Sequence, residues 1–259
     1  MSNASSSKKS VAKADQYAAV SWTPQRGLLM VVVAFVGSQV LAALVILLIS
    51  VLLDMDGTDA KQWFDSIPSQ FVFVLFAETF TLYILWRFLR GHHNLPKAVG
   101  LWRPPIFKDA KYTILGALTY FGVFVLVAVL AAVVFGVDLG QEQQTGFNSA
   151  VAPLHLVMAF IGLVILPPIV EEIAFRGVLY GGFRKQFALV PAAVLTAVLF
   201  GFLHLFGATD GLLWIAAIDT FVLSYVLCYL RDVSGSIWAG IFVHTLKNSI
   251  AYLYLFILR

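Results

Sequence analysis

Long runs of apolar residues alternate along this chain with short polar segments. Seven of these runs are about 20 residues long, the length at which an α-helix crosses a bilayer core of about 30 Å. The apolar positions are continuous rather than alternating, which favours helices over the strands of a membrane barrel. The pattern predicts an all-α, polytopic membrane helical bundle with about seven transmembrane helices. The predicted helices cover residues 27–53, 70–89, 113–135, 156–175, 189–206, 211–230 and 236–258.

The composition agrees with this pattern. Of the 259 residues, 60% are hydrophobic and 12% are charged, whereas an ordinary soluble chain is about half apolar and about a quarter charged. This excludes a water-soluble globular protein. Residues 1–26, whose first part is rich in Ser, Ala and Lys, are predicted to form a disordered cytoplasmic tail. The first apolar run is longer than the core of a signal peptide, so we interpret it as an uncleaved anchor.

Basic residues fall mainly on one side of the predicted membrane. Of the 17 Lys and Arg residues, thirteen lie in segments that alternate onto one side and two on the other, while Arg176 and Lys247 lie within predicted helices. Because cytoplasmic loops collect Lys and Arg, the N-terminus is predicted inside and the C-terminus outside. The formal charge of +3 therefore reflects topology, and no nucleic-acid partner is expected. The single cysteine, Cys228, excludes an intramolecular disulfide.

Several ionisable residues fall inside the predicted helices, where a charge costs at least a few kcal/mol and marks a functional candidate. Polar pairs also hold membrane helices together, and we interpret Glu78 and Asp219 in that way because no motif surrounds them. For Glu172 with Arg176, both a structural and a catalytic role stay open. The full set is Glu78, Glu171, Glu172, Arg176, His204, Asp219 and His244, with Lys247 and Asn248 beside the last.

Three predicted helices carry polar residues at a common depth. Residues four apart share one helix face, and this spacing relates Glu172 to Arg176, Phe200 to His204, and His244 to Asn248. The Pro167–Pro168 pair precedes the glutamates by about one turn and predicts a bend in their helix. Bent helices at membrane depth occur where they line a protein-enclosed or water-filled cavity.

Three short motifs contain these residues. They are Glu-Glu-x-x-x-Arg at residues 171–176, Phe-x-x-x-His at 200–204 and His-x-x-x-Asn at 244–248. In this order, on apolar helices, the set resembles the CPBP family of intramembrane proteases, which includes the CAAX prenyl endoprotease and bacterial bacteriocin-processing and immunity-associated relatives. The resemblance divides the chain into N-terminal transmembrane helices at 27–99 and a CPBP-like intramembrane protease domain at 100–259.

The resemblance implies peptide hydrolysis and assigns roles to the motif residues. Glu171 is expected to act as the base that activates water, with His204 beside it, while His244 and Asn248 stabilise the developing oxyanion. Glu172 is included among the catalytic residues and, with Arg176, is expected to orient the catalytic carboxylate. Phe200 is expected to be structural.

Metal dependence is left open by the sequence. If a metal is present, Glu171, His204 and His244 make a two-histidine, one-carboxylate zinc set. We favour a metal-free site because asparagine is a poor zinc ligand but a good oxyanion donor. The enzyme is therefore expected to be a glutamate-type endopeptidase or, alternatively, a metalloprotease.

Two functions compete with proteolysis. One is a non-catalytic bacteriocin-immunity or partner-binding membrane protein on the same fold, and the other is a proton-coupled transporter, which commonly has inverted repeats that this chain lacks. The expected partners are the lipid bilayer and a peptide or protein substrate, in a multi-pass protein that suits a prokaryotic plasma membrane. We expect the substrate to reach the site from the cytoplasmic side or laterally from lipid.

Overall fold

The computed structural model describes residues 16–141, 145–147, 149–206 and 211–258. Within these ranges the protein has nine helices and no strand, so the all-α membrane bundle predicted from the sequence is confirmed. The helices are α1 (Pro24–Leu52), α2 (Gly57–Asp65), α3 (Ile67–Leu89), α4 (Leu95–Val99), α5 (Phe107–Phe135), α6 (Pro153–Gln186), α7 (Leu189–Leu203), α8 (Trp214–Ser234) and α9 (Trp238–Leu258).

The described part of the chain contains six helices that are long and apolar enough to cross a membrane, and the seventh predicted span is shorter. Helix α7 ends at Leu203, whereas the apolar pattern predicted a helix to residue 206. Its 15 residues extend about 22 Å, less than the bilayer core of about 30 Å. The chain turns immediately after α7, because the His204 and Leu205 amides donate to carbonyls only three residues back.

The long helices are apolar on nearly all sides, and small residues mark the faces where they pack together. On α1, Ala34, Ser38 and Ala42 are fully buried, and the Thr81 hydroxyl of α3 donates to the Ser38 hydroxyl over 2.8 Å. The outward faces of α1 and α5 instead expose large Leu and Val side chains. Small residues at contacts and large ones outside are typical of helices that associate in lipid.

One end of the bundle, here called the basic end, is formed by residues 16–26, 90–108, 184–188 and 231–238. The Trp22 indole donates to the Val178 carbonyl, and the Trp238 indole donates to the Arg103 carbonyl over 2.7 Å. The Ile237 amide donates to the Gly100 carbonyl. These contacts bring the N-terminal segment and the loops that carry most basic residues to one end.

The predicted tail differs from the structure in its last part. Tyr17, Val20 and Trp22 are buried against the bundle, so the disorder predicted for residues 1–26 is wrong for residues 16–26. The apolar side chains of this segment pack against α6. The Ser- and Lys-rich composition did not indicate this packing. Residues 1–15, with Lys8, Lys9 and Lys13, lie outside the described residues.

The opposite end of the bundle is formed by residues 53–66, 136–141, 145–147, 149–152, 204–206 and 211–213. The Gln141 side chain connects two of these segments, because its amide donates to the Leu212 carbonyl and its oxygen accepts from the Ile215 amide. Leu213 closes the turn after α7 by donating to the Leu205 carbonyl over 2.9 Å. The loops that follow α5 and α7 therefore lie together.

Candidate functional site

Helix α6 carries the Glu-Glu-x-x-x-Arg motif and has two π-helical stretches, Ile161–Ile165 and Glu172–Leu179. Pro167 and Pro168 follow the first stretch. Proline has no backbone N–H, so neither residue can donate to the Leu163 carbonyl, which lies four and five positions earlier. The Asn248 side-chain amide of α9 donates to this carbonyl instead, over 2.8 Å. The prolines thus widen the helix locally and tie it to α9.

The two glutamates of the motif have different surroundings. The Glu171 side chain keeps 14% of its surface accessible, whereas Glu172 is fully buried. Arg176 Nη1 lies 2.8 Å from Glu172 Oε1, and both side chains are inaccessible. This close ion pair does not have hydrogen-bond angles. Glu172 is therefore an interior partner of Arg176, and Glu171 is the glutamate that can meet another molecule.

His244 of α9 lies between these two carboxylates. Its Nε2 is 3.7 Å from Glu171 Oε2, and its Nδ1 is 3.5 Å from Glu172 Oε1. Both distances are longer than those of ordinary hydrogen bonds. The resemblance placed His204 beside Glu171, but within the described residues the histidine whose ring approaches the Glu171 carboxylate is His244.

Phe200 of α7 connects the motifs through its ring. The Arg176 guanidinium lies over the ring at 4.7 Å from the centroid, and the rings of His204 and His244 lie 4.8 Å and 6.1 Å from it. The Phe200 carbonyl accepts from His204 Nδ1 over 2.9 Å. In a neutral imidazole this leaves Nε2 as an acceptor, so His204 is suited to hold a water proton rather than to donate.

A cavity of about 760 Å³ opens beside these residues. Glu171, His204, His244 and Asn248 all line it, so α6, α7 and α9 bring the predicted residues to one space. Glu172, Arg176 and Phe200 are fully or almost fully buried behind this surface. The volume is within the usual range for small-molecule and peptide sites, about 300–1,000 Å³.

Polar atoms at the base of the cavity have unused hydrogen-bonding capacity. Glu171 Oε2 and His244 Nδ1 have no hydrogen-bond partner within the described part of the protein, and the same is true of both Glu172 oxygens and the Arg176 nitrogens. Buried polar atoms are nearly always bonded in proteins, to protein or to water. Their concentration here indicates a place where water or substrate supplies the partners.

Three further residues lie in or beside this site without belonging to the set of predicted site residues. Lys247 lines the cavity, and its Nζ lies 3.0 Å from Asp219 Oδ2. Asp219 also accepts from the Tyr120 hydroxyl, so it does hold helices together as the sequence indicated. Gly240 leaves room for the deeper glutamate, because a Cβ there would lie 2.5 Å from Glu172 Oε2. No sequence signal pointed to Gly240.

Glu78 does not have the role expected from the sequence, which was to hold helices together through a hydrogen bond. Its carboxyl forms no hydrogen bond or ion pair within the ranges that the structure describes. It is close enough to Glu171 for the two charges to repel each other. The apolar pattern placed both residues in helices but contained no information on which faces meet.

The conditional zinc set does not fit the described geometry. No group of three His, Cys, Asp or Glu side chains within the described ranges is arranged to hold a metal ion. His204 lines the same cavity as Glu171, but within the described ranges the histidine whose ring nitrogen lies within 4 Å of the Glu171 carboxylate is His244. Glu171, His204 and His244 thus share a cavity without being spaced as three ligands of one ion.

Residues 153–250 match the family model for type II CAAX prenyl endopeptidases, Rce1-like. The matched segment contains all three motifs, and the match confirms the resemblance that they indicated. The family implies protease activity, a membrane environment and a peptide substrate. No curated protein and no solved structure has a significant match to the chain. The predicted domain limits at 27, 100 and 259 stay a prediction.

Proposed function

We propose that this protein is an intramembrane endopeptidase that hydrolyses a peptide bond of a membrane-associated substrate with water activated by Glu171. The observation that carries the proposal is the position of Glu171 at the cavity surface, with His244 Nε2 3.7 Å from its carboxylate. A carboxylate with an unbonded oxygen in a largely apolar site can accept a proton from water. The Rce1-like family match supports the choice of peptide hydrolysis.

In the proposed reaction Glu171 takes one proton from a water molecule as the water oxygen attacks the substrate carbonyl. The C–O bond forms while the carbonyl oxygen gains negative charge. When the C–N bond breaks, the protonated Glu171 transfers its proton to the departing amine. The products are a new carboxyl group and a new amino group, and Glu171 returns to its starting state.

Two cavity residues are suited to assist this water and the oxyanion. His204 Nε2 is an acceptor when Nδ1 donates to Phe200, so it can accept the second water proton in a hydrogen bond. Asn248 uses one amide proton for the Leu163 carbonyl, and its second amide proton can donate to the oxyanion. His244, held between Glu171 and Glu172, is proposed to orient the base.

The decisive experiment replaces Glu171 by Gln, which keeps the shape but removes the base. We expect cleavage to fall by about 100- to 10,000-fold, the usual contribution of general acid–base catalysis. Membrane-associated peptides that accumulate in cells with the Glu171→Gln chain would be compared by mass spectrometry with those in cells with the unchanged chain. The substrate would then appear as a peptide that accumulates only in the variant.

Asp65→Asn is the matched control, because it makes the same acid-to-amide change at an exposed position on α2. It should leave the peptide pattern unchanged. Full cleavage by the Glu171→Gln chain would overturn the assignment of the base. Unchanged protection of cells from a peptide toxin, with no peptide accumulating, would favour the non-catalytic immunity function.

A further inference from the structure

A second cavity, with a volume of about 410 Å³, lies at the basic end and is here called the interfacial pocket. It is lined by residues 18, 19 and 21 of the N-terminal segment and by residues 91–94 and 97, which follow α3. It shares no lining residue with the cavity at Glu171, and the proposed reaction uses none of its residues. Its volume is within the usual range for small-molecule sites, about 300–1,000 Å³.

His92 holds the two walls of the interfacial pocket together. The Ser21 hydroxyl donates to His92 Nδ1, and the His92 ring packs edge-on against the buried Trp22 indole, with the ring centroids 5.5 Å apart. Trp22 is fixed to α6 in turn, because its indole donates to the Val178 carbonyl over 2.9 Å. The shape of the pocket is therefore set by contacts that reach the core of the bundle.

The polar side chains that line the pocket can all donate hydrogen bonds. The Lys97 ammonium and the side chains of His93 and Asn94 have no hydrogen-bond or ion-pair partner within the described ranges. Because Ser21 donates to Nδ1, a neutral His92 ring carries its proton on Nε2, which is a further donor. None of the described lining residues is acidic. This set of side chains is suited to an anion.

The charges around the pocket favour an anion as well. The segments of the basic end contain many Lys and Arg residues but a single acidic residue, Asp232. This carboxylate is already paired with Arg184, whose Nε lies 3.0 Å from Asp232 Oδ1. Asp109, which directly follows one of these segments, is paired with Arg103 over 2.6 Å. The other basic residues of this end therefore keep their positive charge without a carboxylate beside them.

Aromatic side chains place the pocket at the level of the lipid headgroups. Tyr83 and Trp86 lie near the end of α3 and are exposed, and Tyr and Trp are enriched where a membrane protein meets the membrane–water interface. The Arg90 guanidinium lies 5.7 Å from the centroid of the Trp86 ring, and the next residue, Gly91, lines the pocket. The positive-inside rule predicts this interface to be cytoplasmic, and the cytoplasmic leaflet carries anionic lipids.

We propose that the interfacial pocket binds the phosphate group of an anionic phospholipid from the adjacent leaflet. Lys97 supplies the opposite charge, while His92, His93 and Asn94 supply hydrogen bonds to the phosphate oxygens. Free phosphate has the same chemistry, but the position beside exposed aromatic residues favours the lipid. The two histidines have no third metal-ligating side chain beside them in the described part of the chain, so a metal ion fits less well. This proposal does not depend on the proposed function.

Native mass spectrometry of the full-length protein in neutral detergent tests the proposal without requiring any activity. Phosphatidylglycerol would be titrated against the unchanged chain, Lys97→Gln and Lys97→Arg, with phosphatidylcholine as the lipid without net charge. Lys185→Gln is the matched control, because it removes one exposed lysine from the same end at a position that does not line the pocket.

We expect the Kd of the first bound phosphatidylglycerol to rise about 5-fold in Lys97→Gln, the effect of losing one cation beside an anionic lipid. Lys97→Arg and Lys185→Gln should bind this lipid as the unchanged chain does. Phosphatidylcholine should bind more weakly and without dependence on Lys97. Thermal unfolding without lipid should be the same for all chains, since neither lysine has an ion-pair partner within the described residues.

Two results would contradict the proposal. Equal weakening by Lys97→Gln and Lys185→Gln would overturn the site, because the lipid would then respond to surface charge in general. Displacement of phosphatidylglycerol by inorganic phosphate at an equal concentration would overturn the lipid as the source of the bound phosphate.

Discussion

Two buried carboxylates in this protein have nearly equal burial and very different bonding. Asp232 at the basic end accepts from the Tyr17 hydroxyl over 2.7 Å, from the Tyr180 hydroxyl over 3.1 Å, and from Arg184 Nε and Nη2 over 3.0 and 3.1 Å. Burial raises the pKa of Tyr17 above its ordinary value, so its hydroxyl stays a donor. Glu172, by contrast, has Arg176 beside it and no hydrogen bond on either oxygen.

The number of hydrogen bonds, more than burial, distinguishes a carboxylate that holds segments together from one that is available to another molecule. A carboxylate with both oxygens hydrogen-bonded, such as Asp232, ties segments of the chain together. Carboxylates with free lone pairs beside a cavity, as at Glu171 and Glu172, can accept from water, histidine or substrate. The fully buried Arg231 is an exception at the basic end, because two of its nitrogens are unbonded while its guanidinium packs on the Tyr17 ring.

The largest expected effect in this comparison comes from Arg176→Ala. Removing one partner of a buried ion pair is expected to cost about 3–5 kcal/mol of stability because the other charge is left unpaired. We also expect cleavage per folded molecule to fall about 100-fold, the effect of misplacing a catalytic group by about 1 Å. Peptide cleavage by purified protein, normalised to the folded fraction in thermal unfolding, measures both.

Arg184→Ala is the matched control for this change at the basic end. It removes the two hydrogen bonds from Arg184 to Asp232 and should lower stability by about 1.5–3 kcal/mol, as expected for hydrogen bonds to charged groups. Cleavage per folded molecule should not change. If both arginine variants lost cleavage equally, hydrogen-bond saturation would not distinguish the two clusters.

A smaller effect is expected from Gly240→Ala, which leaves every charge in place. The new methyl group would meet Glu172 Oε2 at 2.5 Å and displace the carboxylate from Arg176 and His244. We expect cleavage to fall about 10-fold, less than for Arg176→Ala because a carboxylate can shift without losing its partner. The same change at Gly122 of α5, where a Cβ would meet nothing within 4 Å, should have no effect on cleavage.

The smallest expected effect is that of exhaustive chelation. Because Glu171, His204 and His244 do not converge on one point, we expect purified protein to keep its cleavage rate after treatment with a strong zinc chelator. The rate would be measured with a peptide identified from the Glu171→Gln comparison. Loss of cleavage that added zinc restores would show that these side chains rearrange around a metal.

The motif spacing predicted which residues share the cavity but not how they contact one another. Glu171, His204, His244 and Asn248 were predicted from three motifs, and all four line one space. Residues four apart on a helix share a face, so each pair could be oriented locally. Which histidine meets Glu171 depends on the rotation of α7 and α9 against α6, and local spacing contains no information on that rotation.

Asn248 illustrates a role that only the packed structure reveals. The Pro167–Pro168 pair predicted a disturbed helix, yet the consequence is a free carbonyl at Leu163 that a side chain of another helix bonds. The buried N-terminal segment around Trp22 is a second case, since its composition indicated a tail. In both cases the partner lies far away in sequence, and a local pattern cannot identify it.

The sequence by itself determined the membrane bundle and indicated the resemblance of its C-terminal segment and the candidate site residues, because lipid requires long apolar helices and few charged residues occur within them. The tertiary structure alone decided that Glu171 faces the cavity while Glu172 pairs with Arg176, and that His244 lies between the two glutamates. These features depend on how separate helices rotate and tilt against one another. That arrangement is fixed by packing across the whole bundle rather than by any one segment.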